Sequence, residues 1–126
     1  MARRKEPDRD LRFDPEVRKG TTETIVLAVL ADPAHEAGLH GYGLIVKIRE
    51  LSEDRFILNE GALYPLLHRL EREKKLRSRT STVRGRQRKT YALTDAGRIA
   101  LAEQHASWST YVAFMKRVLT RSRAST

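Results

Sequence analysis

Apolar residues recur at helical spacing near the middle of the chain. The leucines at spacings of i, i+3, i+4 and i+7, which fall on one face of a helix, are Leu63, Leu66, Leu67 and Leu70. Asn59 is a favourable N-cap, and Pro65 predicts a loosened first turn because it removes one backbone donor. We therefore predict an amphipathic helix from Asn59 to Leu76 whose leucine face packs on a core.

The opposite face of this helix has a different composition. It carries Gly61, Pro65, His68 and Arg72, flanked by Tyr64 and Arg69, with Lys75 in a basic cluster at the C-terminal end. Small residues permit close approach, aromatic and cationic groups contact bases and phosphates, and no acid lies at the centre. The pattern favours a helix that reads DNA, with Tyr64 near the end that meets the bases and Arg72 on a phosphate.

Two more helical patterns precede this one. The first starts at Asp14-Pro15-Glu16, is interrupted at Gly20, and continues from Thr21 to Ala31. The second runs from Tyr42 to Leu51, and Tyr42 is a further candidate for DNA contact. Two amphipathic helices in series, joined by Ser52 to Leu58, are typical of a helix-turn-helix with the longer connection of winged-helix proteins.

The segment from Ala34 to Gly41 is predicted to be a loop. His35, Glu36 and His40 fall in it or at its edge, but their spacing matches no common metal site. We interpret them as solvated loop residues, and the sequence predicts neither a metal nor a cofactor.

Between Arg77 and Leu93 the pattern changes from helical to alternating. The alternation is interrupted around Gly85 and resumes at Thr90, which predicts a β-hairpin with glycine in its loop. Its tip carries four cations and no acid: Arg84, Arg86, Arg88 and Lys89. Like charges repel and an anion removes that repulsion. The hairpin is therefore interpreted as a wing on the DNA phosphates, in preference to a solvated turn.

The last helix is predicted to start at the cap Thr94 and to run to about Arg121. Its apolar stripe repeats at spacings of four and three: Leu101, His105, Trp108, Val112, Met115 and Leu119. A helix of about 28 residues is about 42 Å long, which exceeds the small core built by the earlier helices. The stripe is therefore expected to pack on the same helix of a second chain and to make a homodimer.

Composition narrows the class of protein. The 126 residues support one domain, and the net charge is +9. The stretch from Arg69 to Thr90 has ten Lys or Arg and two Glu, so it holds +8 of that charge, which indicates a site for a polyanion. The chain has no cysteine, which fits the cytoplasm, and no apolar run long enough to span a membrane or to form a signal peptide.

Four stretches resemble the PadR family of bacterial transcriptional regulators. They are His40-Gly41-Tyr42-Gly43-Leu44, Glu60-Gly61-Ala62-Leu63-Tyr64-Pro65-Leu66-Leu67-His68-Arg69-Leu70-Glu71, Gly85-Arg86-Gln87-Arg88-Lys89-Thr90-Tyr91 and Leu93-Thr94-Asp95-Ala96-Gly97. The resemblance covers roughly Val17 to Leu119, and the single C-terminal helix is similar to the small subfamily. It implies a homodimeric winged-helix protein that binds palindromic operators, usually as a repressor.

The resemblance also has a bearing on ligands. Some relatives bind flat aromatic effectors at the dimer centre beside a tryptophan in a similar Ser-Trp-Ser context, which Ser107-Trp108-Ser109 matches. The implied effector residues are Trp108, His105 and Tyr111; the alternative is that Trp108 is simply a large residue of the helix seam. Thr90 stands where a second aromatic residue is common in the family, so one packing contact of the wing is expected to be weaker.

Taken together, the patterns predict a mainly α protein with a small β-hairpin, a winged helix-turn-helix followed by a long C-terminal dimerisation helix. We expect a mobile arm at 1–13, the DNA-binding domain at 14–93, the dimerisation helix at 94–122 and a tail at 123–126. The expected partners are double-stranded DNA, a second copy of the chain and a small aromatic effector. The alternatives are a non-specific architectural DNA-binding protein and a protein-interaction module with a basic face. An enzyme is not predicted, because no nucleophile, phosphate loop or carboxylate pair is recognisable.

Overall fold

The computed structural model describes residues 12–18 and 20–122. Within these ranges the elements are α1 Pro15–Arg18, α2 Thr22–Leu30, β1 Leu39–His40, α3 Gly41–Leu51, α4 Glu60–Arg72, β2 Leu76–Val83, β3 Arg86–Leu93 and α5 Asp95–Arg121. A 3-10 turn, Pro33–His35, lies between α2 and β1. The strands form one antiparallel sheet in the order β1-β3-β2. The predicted winged helix-turn-helix with a long last helix is confirmed.

The hydrophobic core lies between α2, α3, α4 and the sheet, and α5 covers one side of it. Its central side chains are Val26, Leu27, Leu30, Leu44, Ile48, Leu63, Leu67, Leu70, Leu76, Tyr91, Leu93 and Ala100. Three of the four leucines predicted to face the core are fully buried, and Leu66 is partly buried against it. Because the leucine face of α4 is buried in the core, the opposite face is exposed to solvent or to a partner.

Side-chain caps determine where three of the helices begin. The Asn59 carboxamide oxygen accepts the Ala62 N–H at 2.9 Å at the start of α4, and the Thr94 hydroxyl accepts the Gly97 N–H at 3.0 Å at the start of α5. His40 Nδ1 accepts the Gly43 N–H at 3.1 Å and caps α3. The predicted caps Asn59 and Thr94 are confirmed, since each satisfies a backbone donor that the first turn leaves free.

The end of α4 differs from the prediction. The helix continues through Pro65 but stops at Arg72, four residues before Leu76. Lys74 has a φ of 63°, a left-handed conformation that terminates the helix. Leu76 then starts β2, so Lys74 and Lys75 of the predicted basic cluster lie in the turn into the sheet, while Arg72 ends the helix and Arg77 lies in the strand.

Strand β1 was not predicted from the sequence, where 34–41 was assigned to a loop. It is only two residues long, and Leu39 pairs with Tyr91 of β3. Gly38 has a φ of +103°, and a Cβ there would lie 2.9 Å from the Tyr91 carbonyl oxygen. Glycine therefore allows the chain to approach the sheet edge closely.

The N-terminal region is held by few contacts. Of the predicted arm 1–13, residues 1–11 lie outside the described residues, as does the predicted tail 123–126. The Phe13 N–H donates to the Arg55 carbonyl at 3.0 Å, and the Arg18 guanidinium lies 4.1 Å from the centre of the Phe56 ring. Helix α1 is a single turn, and Gly20, with a φ of +79°, separates it from α2.

None of the described helices combines the length and the hydropathy that crossing a bilayer requires.

Candidate nucleic-acid interface

The outer face of α4 is exposed, as the leucine pattern predicts. Gly61, Pro65, His68 and Arg72 are all solvent-accessible, while the leucines of the opposite face are buried. Within the part of the chain that the structure describes, Arg72 has no acidic partner. Its charge is therefore available to a ligand.

Tyr64 is oriented differently from the other predicted residues of this face. Its ring is half-buried against the core, and its hydroxyl lies so close to Gly41 that a methyl group on Gly41 would overlap it. The side chain thus turns toward the start of α3 and does not stand opposite the leucines. Tyr42, next to Gly41, is 61% exposed and is the more accessible tyrosine at this end of the interface.

Arg69 and Lys75, two further predicted DNA-binding residues, are paired with acids of their own chain. Glu23 of α2 accepts hydrogen bonds from Arg69 Nη2 at 2.9 Å and from Lys75 Nζ at 3.4 Å, while Glu73 accepts from the same two cations at 3.1 Å. The Gln104 side chain of α5 donates to Glu23 at 2.9 Å. We call these five residues the Glu23 cluster. Both cations are engaged with acids of their own chain, so neither is counted below among the DNA contacts.

The environment keeps the groups of this cluster charged. Burial by itself would raise the pKa of Glu23, but hydrogen bonds from Arg69 and Gln104 and the charge of Lys75 outweigh it and lower that pKa. The hydrogen bond with Glu23 raises the pKa of Arg69, and that with Glu73 raises the pKa of Lys75. The ionised Glu23 stabilises the fold above the pKa of an ordinary glutamate. This contribution is lost as the pH falls through its lowered pKa.

The hairpin β2–β3 forms the predicted wing. Arg84 and Gly85 make its two-residue turn with φ values of 54° and 78°, as the right-handed twist of the strands requires. Arg86 and Arg88 are exposed and share one face of β3 because side chains alternate along a strand. Lys89 lies on the other face, 5.7 Å from the Tyr91 ring and 3.9 Å from Glu71 of α4. Lys89 thus lies near an acid of its own chain, whereas the three arginines of the tip have no acidic partner among the described residues.

Glu71 also connects the wing to α4. The Ser78 hydroxyl at the base of β2 donates to its carboxylate at 2.5 Å. Burial, and then the charge of Glu71, raise the pKa of Tyr91, so this core tyrosine keeps its proton. The hairpin consequently projects from the C-terminal end of α4 at a fixed position.

The two acids of the basic stretch 69–90 are both paired with cations of the same stretch. Glu71 pairs with Lys89, and Glu73 pairs with Arg69 and Lys75. Six exposed arginines of this stretch have no acidic partner among the described residues: Arg72, Arg77, Arg79, Arg84, Arg86 and Arg88. The positive potential is thus concentrated on the outer end of α4 and along the wing, where a polyanion can approach.

Helix α5 has two parts with different surroundings. Ala100 is buried in the core and Leu101 is partly buried against it, so the first residue of the predicted seam packs within its own chain. From His105 onward the helix leaves the core. The apolar residues that stay about half-exposed there are Tyr111, Val112, Phe114, Val118 and Leu119. Trp108 and Met115 are less exposed than these five.

An open groove of about 810 Å³ separates α1 from the distal part of α5. Val17, Trp108, Tyr111, Val112, Met115 and Leu119 supply its apolar lining. The rings of Trp108 and Tyr111 meet edge to face with centroids 5.9 Å apart. Two of the three predicted effector residues therefore share one groove, whereas the third, His105, does not line it.

The sequence patterns did not indicate Glu23 or Gln104 as site residues. They lie 81 positions apart, and each alone reads as a solvated residue of an amphipathic helix. Only an acid in the first turn of an otherwise apolar helix could have drawn attention to Glu23.

Comparison with known proteins identifies the family. The model of the transcriptional regulator PadR-like family matches residues 26–103. A stretch of 55 residues is 47% identical to transcriptional regulator Rv3488 of Mycobacterium tuberculosis. That stretch covers 44% of this chain and 51% of that protein, so the match spans about half the length of the relative.

Solved structures share the fold over most of the chain. A PadR family transcriptional regulator from Eggerthella lenta is 28% identical with a TM-score of 0.73, covering 85% of this chain and 88% of that one. The PadR-like transcriptional regulator BC4206 from Bacillus cereus is 27% identical with a TM-score of 0.71, covering 85% and 99%. The family model spans well over half of the sequence and the winged-helix fold agrees with it: the chain belongs to the PadR-like family of transcriptional regulators.

Proposed function

We propose that the protein is a sequence-specific repressor that acts as a homodimer on a palindromic DNA operator. The observation that carries the proposal is the set of unpaired arginines on α4 and the wing, on a chain that belongs to a family of transcriptional regulators. Helix α4 is the proposed recognition helix in the major groove. His68 and Tyr42 are the proposed contacts to bases, and Arg72 is the proposed contact to phosphate.

The wing is proposed to follow the DNA backbone. Arg84, Arg86 and Arg88 carry charges that no acid of the described chain neutralises, and each contact to a phosphate releases condensed counterions. Gly61 and Pro65 offer small or flat surface on α4 that permits close approach to the groove. Tyr64 is assigned a supporting role, since its hydroxyl packs beside Gly41 and holds the two helices together.

The distal part of α5 is proposed to form the dimer. Its apolar residues are half-exposed from Tyr111 to Leu119, about two and a half turns, and such a continuous stripe commonly marks a protein interface. The predicted seam residues His105, Trp108, Val112, Met115 and Leu119 lie on this part of the helix. In a two-fold dimer, the groove beside α1 would lie next to the interface.

A binding competition tests the function. Duplexes selected by the wild-type protein from a random library should contain a two-fold repeat and bind at least about 10³-fold more tightly than random DNA. Equal affinity for random duplexes would instead support the architectural protein. No retention of DNA at moderate salt would support the protein-interaction module.

The dimer is tested by substitution in the seam. Met115→Glu should give monomers in sedimentation and lose tight operator binding, because an unpaired charge in a dry interface costs several kcal/mol. Thr110→Glu is the matched control, because Thr110 is exposed and is not one of the predicted seam residues, so the charge there should leave the dimer intact. A dimeric Met115→Glu protein would contradict the assignment.

A second proposed activity is release of operator by a flat aromatic effector. The apolar groove beside Trp108 and Tyr111 favours it, since a planar ligand can stack there with about 0.5–1.5 kcal/mol per ring beyond area burial. Calorimetric titration with a panel of planar aromatic compounds should show binding to the wild type and not to Trp108→Leu, with both proteins dimeric. Equal binding by the variant would show that Trp108 does not contact the ligand and serves only in packing.

A further inference from the structure

Helix α5 is attached to its own chain by polar contacts at two separate points. At its start, the Thr94 N–H donates to the Lys75 carbonyl at 3.1 Å and the Thr94 hydroxyl donates to the Lys74 carbonyl at 2.6 Å. Farther along, Gln104 donates to Glu23 at 2.9 Å and accepts from the Thr24 hydroxyl at 2.5 Å. A rod held at one point can pivot, whereas a rod held at two points has a fixed direction.

The second point limits how far α5 can tilt. Gln104 lies about 15 Å along the helix from Thr94, and α5 continues for about 25 Å beyond it to Arg121. Without the contact at Gln104, α5 would pivot at Thr94, about 40 Å from Arg121, so a tilt of about 10° would move the far end by about 7 Å. This displacement is about twice the spacing of about 3.4 Å per base pair, so in a dimer formed through α5 a smaller tilt would already change the separation by one base pair.

Packing alone does not hold Gln104 in place. An open cavity of about 200 Å³ lies beside it, lined by Gly20, Glu23, Thr24, Gln104, Ser107 and Trp108. The nearest residues of α5 that pack on the core are Ala100, which contributes a methyl group, and the partly buried Leu101. Beyond Leu101, the direction of α5 depends on the hydrogen bonds of Gln104 to Glu23 and Thr24.

The other side of Glu23 faces the recognition helix. Its first carboxylate oxygen accepts from Arg69 of α4, and its second is shared by Gln104 and Lys75, which follows the end of α4. One side chain of α2 therefore joins α4 to α5. Arg69 is three residues from Arg72, so the joint lies beside the proposed DNA-contacting face.

We propose that Glu23 is a positioning residue that fixes the angle between α4 and α5 and thereby sets the separation of the two recognition helices in the dimer. The second half of this statement rests on the proposed homodimer, whereas the first concerns a single chain. Loss of the joint should let α5 tilt while the core stays folded, so half-sites with altered spacing would become acceptable.

Spin labelling tests the angle directly, because the chain contains no cysteine. Arg72→Cys on α4 and Arg117→Cys on the outer side of α5 introduce two labels in one chain. Dilution with unlabelled protein confines the pulsed electron paramagnetic resonance signal to distances within a chain. The double-cysteine protein is compared with the same protein carrying Glu23→Gln, Gln104→Met or the control Glu103→Gln.

The expected result is one narrow distance distribution for the parent, with a shift or broadening of at least about 3 Å in Glu23→Gln and in Gln104→Met. Glu103 is exposed on α5, so Glu103→Gln removes the same charge without touching the joint and should reproduce the parent. Circular dichroism of each variant checks that the fold is intact. Distributions identical to the parent in both Glu23→Gln and Gln104→Met would overturn the proposal.

A single label at Arg72→Cys separates this proposal from the dimer. In an undiluted sample it measures the distance between the two recognition helices, and Glu23→Gln should broaden that distance as well. Absence of any such distance in the parent would overturn the proposed dimer and the spacing role. The distances measured between the two labels of one chain would then test only whether Glu23 fixes the angle between α4 and α5.

Discussion

Arg69 and Arg72 lie three positions apart on α4 and have different roles in the structure. Arg69 is bound to Glu23 and Glu73, whereas Arg72 is exposed and has no acidic partner within the described residues. Helical periodicity placed both on the polar side of the leucine stripe. It could not distinguish them, because Glu23 approaches from a helix 46 residues earlier in the chain.

The two arginines are therefore expected to respond differently to neutralisation. Arg72→Gln should weaken binding to all duplexes and reduce the slope of log K against log salt by about 0.9, the value for one phosphate contact, without changing stability. Arg69→Gln should leave the salt slope nearly unchanged and reduce the free energy of unfolding by up to about 1 kcal/mol. Salt titrations and urea unfolding of both variants measure these quantities. The opposite assignment of effects would show that Arg69 is the phosphate contact.

Local periodicity could also not show the tertiary contacts of Tyr64 and Lys89. Tyr64 and Lys89 were assigned to DNA because their residue types suit it, and the local pattern gives only a direction around one helix or strand. The Tyr64 hydroxyl lies beside Gly41 and the Lys89 amine lies 3.9 Å from Glu71, and both neighbours belong to other elements of the fold. Partners that are distant in sequence are fixed by tertiary packing, which no local pattern contains.

Whole elements were easier to predict than single side chains. The starts of α4 and α5 follow from Asn59 and Thr94, whose side chains satisfy free backbone donors in the first turn. The hairpin follows from its alternation and from Gly85 at the turn. Strand β1 is two residues long and has no period to detect, and the end of α4 depends on the left-handed Lys74, which is not a residue type that predicts a stop.

The wing gives a prediction at the scale of an element. Replacing Arg86 and Arg88 together by glutamine should lower the salt slope by about 1.8 and weaken specific and random duplexes alike, since phosphate contacts carry no sequence information. The control is the double variant Arg98→Gln and Arg117→Gln, which removes the same charge from exposed positions on α5. Equal slopes for the wing variant and the wild type would show that the wing tip does not touch the backbone.

At the scale of the whole molecule, the sequence predicted the apolar surface of α5. It predicted only in part which residues of that surface pack on the core of the same chain and which remain for a second chain. The four-three spacing correctly indicated a helix longer than the core. It assigned Leu101 to a partner chain, although this residue packs on its own core because α2 reaches the first two turns of α5. The part of α5 that packs on its own core ends near Gln104, and no change in the sequence pattern marks that position.

The hairpin has a buried base and an exposed outer half. Leu76, Tyr91 and Leu93 anchor its base in the core, whereas every residue from Arg79 to Lys89 is exposed. Apart from Lys89, which lies 3.9 Å from Glu71, the described contacts that hold the outer half are the hydrogen bonds of the ladder. It therefore opens at a lower free energy than the base, which opens with the whole domain. Contact with a partner would suppress this motion, at a cost of about 1–2 kcal/mol in entropy for each backbone residue that becomes fixed. The wing is thus rigid at its base and mobile at its tip. Because binding must order the tip, the affinity for DNA should fall more steeply on warming than the charge of the wing alone would require.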